Sequence, residues 1–104
     1  MAHILILYKL KPGITPKDFE HWLRTRSAPT LRKIRRLKDF TVYRVEKRVM
    51  DSGEPSIGYA ELFDIPDIEG FVREDIPGPV LRKDMEEFLG FAEKPEYLLA
   101  TSLI

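Results

Sequence analysis

The stretch His3-Ile4-Leu5-Ile6-Leu7-Tyr8-Lys9-Leu10, closed by Lys11-Pro12-Gly13, decides how the rest of the chain is read. A run of branched and aromatic side chains ended by a Pro-Gly turn marks a β-strand. Alternation then puts Ile4, Ile6, Tyr8 and Leu10 on one face, and His3, Leu5 and Leu7 on the other. Both faces are largely apolar, so this strand has to be covered from two sides.

Working outward, Thr15-Pro16-Lys17-Asp18 is a helix start, with a capping threonine, proline at the first helical position and an early acid. Phe19, Trp22, Leu23 and Arg26 follow at helical spacing as the inward stripe, and Ser27-Ala28-Pro29 breaks or kinks the helix, which ends near Ile34. Residues 39–49 alternate as a second strand, Asp51–Pro55 is a hairpin loop, and residues 56–64 form a third strand with Ile57, Tyr59, Glu61 and Phe63 on one face. Pro66 and Asp67 open a second helix, with Ile68, Phe71 and Val72 inward. Ile76–Pro79 interrupts it, and Val80, Leu81, Met85, Phe88 and Leu89 continue the stripe. Residues 96–103 are the last strand. The order βαββαβ defines an α+β, ferredoxin-like domain over residues 1–104, with both helices on one face of a four-stranded antiparallel sheet. The other face carries Leu5 and Leu7, and in the last strand Leu98, Ala100 and Ile104 oppose Tyr97, Leu99 and Leu103. Left bare, such a face would be an apolar patch on the order of several hundred Å², which soluble monomers avoid. A second copy across a two-fold axis covers it. The expected assembly is therefore a homodimer, a closed dimeric α+β barrel.

The 104 residues balance 17 Lys and Arg against 17 Asp and Glu, but unevenly. Residues 1–50 hold 13 bases and 4 acids, and residues 51–104 hold 4 bases and 13 acids. Nucleic-acid binding needs a basic face without matching acids. Here the acids are expected to fold back on the bases, so no nucleic-acid partner is expected. The apolar run Ile4–Tyr8 is far short of the ~20 residues of a membrane span, and Met1-Ala2-His3 lacks the basic start of a signal peptide. No membrane partner and a cytoplasmic setting follow as expectations. The chain has no cysteine, which excludes disulfides, thiolate nucleophiles and Cys-type zinc sites.

Trp22 with Arg24, Pro29, the run Phe40-Thr41-Val42-Tyr43-Arg44-Val45, then Tyr59-Ala60-Glu61, and late Phe88, Phe91 and Pro95 resemble the RedY/HapK-like family over nearly the whole chain. That family consists of small dimeric α+β barrel proteins of prodiginine-type and some bisindole pigment pathways. Its pattern has an acid ahead of the proline of the first helix, where this chain has Ser27, two residues before Pro29. The resemblance implies a protein of secondary metabolism that needs no cofactor and acts on, or holds, a reactive small aromatic intermediate.

The residues themselves offer several chemical candidates. Glu61 shares its strand face with Tyr59 and Phe63; a carboxyl among aromatics has a raised pKa and suits general acid or base work. The alternative is an ion pair with Arg44 or Lys9. Tyr8, Tyr43, Tyr59 and Tyr97 are strand phenols that either line a pocket or fill core and interface. Trp22 and Arg26, on the inward stripe, either form an aromatic wall with a cation for a flat ligand, or serve as core and as a partner for Glu74 or Asp75. Asp75, just before the break at Pro77, points into a pocket or into solvent. His3 sits at a strand end, as a proton shuttle or a structural histidine. With His21 it makes no metal set. Three readings follow. The first is a cofactor-free acid/base enzyme using Glu61, Asp75 and His3 on a ligand held by Trp22, Arg26, Tyr43, Tyr59 and Tyr8. The second is a carrier that shields an unstable intermediate, and the third is a monooxygenase of the same fold.

Overall fold

A computed structural model describes Ala2–Ile104. Strand β1 (Ala2–Leu10) is followed by helix α1 (Pro16–Trp22), a π turn (Leu23–Ser27) and helix α2 (Ala28–Leu31). Strands β2 (Asp39–Arg44) and β3 (Tyr59–Asp64) come next, then helix α3 (Ile68–Gly70), a second π turn (Phe71–Asp75), helix α4 (Pro79–Phe88) and strand β4 (Ala92–Thr101). The four strands form one antiparallel sheet in the order β2-β3-β1-β4. This is the α+β, ferredoxin-like arrangement expected from the element order. Among the described residues, no helix is long and apolar enough to cross a membrane.

Register sets what each face offers. Val42, Glu61, Ile6 and Tyr97 stand side by side across the helix-facing side of the sheet, and Arg44, Tyr59 and Tyr8 form the next row. Thr41, Leu62, Leu5 and Leu98 form a row on the opposite side. The helix-facing side is buried at Ile6, Tyr8, Tyr59, Glu61 and Phe63, whereas Tyr43 and Leu98 on the other side are exposed.

Thr15 caps α1 through its Oγ1, which accepts from the Asp18 N–H at 3.2 Å, and Pro16 stands at the first position. The helix then departs from its expected path. It passes through Leu23–Ser27 as a π turn, in which the Ala28 N–H donates to the Leu23 carbonyl. Pro29 gives the reason: it has no N–H, and its ring would clash with the Thr25 carbonyl in a regular α-helix. Widening the preceding turn relieves the clash. The added residue rotates the stripe, so Ser27, Leu31 and Ile34 are buried and Arg26 is exposed. The second helical segment repeats the device. The Ile76 N–H donates to the Phe71 carbonyl at 3.0 Å, immediately before the break at Pro77-Gly78-Pro79. Phe71 is buried there and Val72 faces solvent, as do Val80 and Leu89 further on.

The β2–β3 ladder is shorter than the alternation suggested. One further bond, from the Val45 N–H to the Gly58 carbonyl at 2.8 Å, extends it. The charged run Glu46-Lys47-Arg48 then leaves the sheet, and Arg48 pairs with Asp51 inside the loop. Strand β4 begins earlier than expected, at Ala92, because an edge strand tolerates Pro95. A register shift between Leu7 and Lys9, with Lys94 at φ 44°, absorbs the proline as a bulge.

The two halves of the chain meet through charge as expected. Arg36 pairs with Asp67 at 3.1 Å, with Asp75 at 3.3 Å and with Glu74, and Arg26 pairs with Glu87 at 2.7 Å.

Candidate active site

Between the helices and the sheet lies a cavity of about 130 Å³. Ile4, Ile6 and Phe63 form its sheet wall, and Leu31, Phe71, Ile76, Leu81, Met85 and Phe88 close it from the helical side. Four polar side chains enter it: Glu61 from β3, Tyr97 from β4, Ser27 from the first π turn and Asp84 from α4. No Lys, Arg or His lines it.

Glu61 is 5 % exposed. The Tyr8 hydroxyl donates to its Oε2 at 2.5 Å. Burial pushes the Glu61 carboxyl up to about 7; the Tyr8 hydrogen bond opposes that shift, and the charge of Asp84 adds to it. The ion pair that would have cancelled this effect is absent. Arg44 is taken by Glu20, to which it donates at 2.7 and 2.6 Å, and Lys9 is exposed opposite Glu93. Asp84 is raised to about 6 by burial, against the Ser27 hydroxyl beside it and with Glu87 adding to the shift. Tyr97 is raised by burial and then by Glu61 and Asp84.

A second polar cluster stands behind the cavity. Tyr8 stacks on Tyr59, with ring centroids 5.6 Å apart, and the Tyr59 hydroxyl donates to Glu20 Oε2 at 2.8 Å. Bonds from Arg44 hold the Glu20 carboxylate down to about 2 against its burial, with help from Tyr59. Burial and Glu20 lift Tyr59 to about 12. Glu20 is thus a fixed anion anchoring Tyr59. Tyr59 in turn supports the ring of Tyr8, which aims its hydroxyl at Glu61.

Of the residues singled out from the sequence, the structure gathers Glu61, Tyr8 and Tyr59, with Tyr97 on the cavity wall. Trp22 packs among Phe19, Phe88 and Phe91 behind the cavity, and its Nε1 donates to Glu87 at 2.8 Å. Arg26 forks onto the same Glu87 at the surface, because the π turn gives its inward place to Ser27. Asp75 turns outward to Arg36. Tyr43 is 53 % exposed on the face away from the helices, and His3, opposite Asp64, lies on that same face beside Leu62 and Ala100. Asp84 and Ser27 were missed as chemical groups. The signal for Asp84 was its spacing: an acid three residues after Leu81 and four before Phe88 stands inside an apolar stripe.

Fold and site together define a small ferredoxin-like α+β protein with a ligand-sized, acid-lined cavity under its helices. The family model described as REDY-like protein HapK matches residues 2–103, and the chain belongs to that family. The crystal structure of HapK from Hahella chejuensis superposes with a TM-score of 0.80 at 22% identity, covering 99% of this chain and 93% of that one. SnoaB, a cofactor-independent oxygenase from Streptomyces nogalater, matches with a TM-score of 0.75 at 14% identity over 99% of this chain and 93% of its own. A dimeric ferredoxin-like protein of unknown function from Thermobifida fusca matches with a TM-score of 0.71 at 16% identity, over 97% and 90%. No curated protein matches the chain.

Proposed function

We propose that this protein is a cofactor-independent enzyme of secondary metabolism that performs acid/base chemistry on a pyrrole- or indole-derived intermediate of the prodiginine type, with Glu61 as its proton-transfer group. One observation carries the reading: a carboxyl raised to about 7 is held by Tyr8 in a mostly apolar cavity. A pKa close to the working pH makes both the acid and its conjugate base available. The volume of about 130 Å³ is close to the ~150 Å³ of an engineered apolar cavity that binds benzene. It suits one aromatic ring, so a longer conjugate would enter by one end. Membership of the REDY-like family supports a pigment-type intermediate, and the proton-transfer role follows from Glu61.

The apolar lining also favours a carrier that only shields the ligand. Ring C–H exchange of 2-methylpyrrole in D2O, followed by proton NMR near pH 7, separates the two readings. The enzyme reading expects catalysed exchange that falls roughly 10²–10⁴-fold in Glu61→Gln, with binding by saturation transfer retained. Binding without catalysed exchange in the native protein would establish the carrier.

We also infer that the protein works as a homodimer. Leu5, Leu7, Ala60, Leu62 and Leu98 make the sheet face away from the helices apolar, and among the described residues no helix packs over it. Light scattering should find two chains per particle, and Leu98→Lys, which adds a charge to that face, should give single folded chains. A native protein that stays monomeric at micromolar concentration would overturn this.

A further inference from the structure

Asp84 has a position that no other residue of the cavity shares. It lines the inner cavity with Glu61 and Tyr97, and it also lines an outer groove with Arg26, Lys33, Lys83 and Glu87. Glu61 has no such contact with the surface. A buried acid that gives or takes a proton must be reset before the next turnover, and Asp84 is the neighbouring carboxyl that reaches both the cavity and the outer groove.

The cavity also has a one-sided charge pattern. Its titratable groups are Glu61 and Tyr97 from the sheet and Asp84 from α4, with Tyr8 of β1 behind Glu61 and Glu87 next to Asp84. The bases of the outer groove do not line the inner cavity. An anion entering there would meet two carboxyl groups and no cation in a low-dielectric space, where like charges repel strongly. A neutral or cationic ring would meet two acceptors suited to an N–H.

We propose that Asp84 is a second proton-transfer group of this cavity, exchanging protons with water through the outer groove, and that the pair Glu61–Asp84 selects neutral or cationic N–H heteroaromatic ligands over carboxylates. This rests on the function proposed above and extends it to the ligand class. The step is a proton shift. The carboxylate member removes a proton from one ring position, the protonated member delivers one to another, and no electrons leave the ligand. Water then restores the pair through Asp84. Asp84 adds to the rise of Glu61, and with the two acids at about 7 and about 6 the pair holds one proton between them just below neutral pH, as the step requires.

Three probes of one shape test the ligand class by titration calorimetry at pH 7.5: 2-(aminomethyl)pyrrole, 2-methylpyrrole and pyrrole-2-carboxylate. The amine is expected to bind at least ten-fold tighter than the carboxylate, with the neutral ring between them, and Asp84→Asn should narrow that range. Equal affinities would overturn the ligand class while leaving the acid/base reading standing, whereas failure of all three to bind would sink the underlying reading. The role of Asp84 is tested by the pH profile of 2-methylpyrrole exchange. The native profile should be bell-shaped, and Asp84→Asn should lose one limb as well as height. A profile lowered at every pH but unchanged in shape would reduce Asp84 to a structural residue, and melting curves of the variant confirm that it folds.

Discussion

Glu61→Gln is expected to stabilise the protein at alkaline pH in the same substitution that should slow the proposed proton exchange. In the folded state the Glu61 carboxyl sits at about 7, above its ordinary 4.5. The native protein therefore holds this proton over a range in which the unfolded chain has released it. Glu61 costs no stability below the unfolded value. As pH rises from 4.5 through 7, folding must retain either a proton or a buried charge, and stability falls. The full penalty above that window is about 3 kcal/mol. Glutamine is neutral throughout and keeps an oxygen to accept from Tyr8, so the variant avoids the penalty. Urea unfolding at pH 4, 6 and 8 should show curves that coincide at the lowest pH and separate progressively, with the variant more stable. Glu20 titrates in the opposite sense: its carboxylate is held down to about 2, so its contribution is present above 4.5 and is lost on acidification towards 2. Both proteins share that loss, and it cancels in the difference. A gap independent of pH would mean that Glu61 is not buried as described.

The second large effect is a loss of stability in Phe19→Ala. Phe19 is 0 % exposed and joins two groups of rings. Its ring centroid lies 5.8 Å from Tyr8 and 5.0 Å from Tyr59 on the sheet, and 5.8 Å from Trp22 and 5.7 Å from Phe91 on the other side. Removing the ring leaves a void that these large side chains cannot close together. The expected cost is about 3–5 kcal/mol, a large part of the roughly 5–15 kcal/mol that holds a domain of this size. The melting temperature should fall by roughly 15–30 °C, read by circular dichroism. Phe19→Leu should recover more than half of that loss. A fall of only a few degrees in the alanine variant would show that the aromatic cluster is looser than its geometry.

How far the sequence discloses this molecule depends on what fixes each residue. Alternation in His3–Leu10 and Tyr59–Asp64 and the Thr15-Pro16 start are local signals, and through them the order of elements and the face of Glu61 could be read. Membership of the apolar layer was also legible for Phe19, Phe71 and Phe88. Helical phase beyond Trp22 was not, because a π turn has no composition of its own. Counting in steps of 3.6 from Phe19 reaches Arg26, while the folded chain buries Ser27. Partner choice was equally hidden. Arg44 lies on the same face as Glu61, yet it reaches Glu20 on α1, a contact that depends on how the helix sits over the sheet. Asp75 likewise depends on Arg36, 39 residues away in the chain.

The paired π turns have one more consequence. Each is equivalent to a single residue inserted into a helix and kept in place because a proline two positions on cannot tolerate the tighter winding. The helical surface before the insertion and the surface after it are offset by about 100°. The first half of each segment can thus follow the demands of the aromatic core while the second half follows those of the cavity. Ser27 and Ile76 face the cavity because of that offset, and the two prolines act as phase locks on its lining without being part of it.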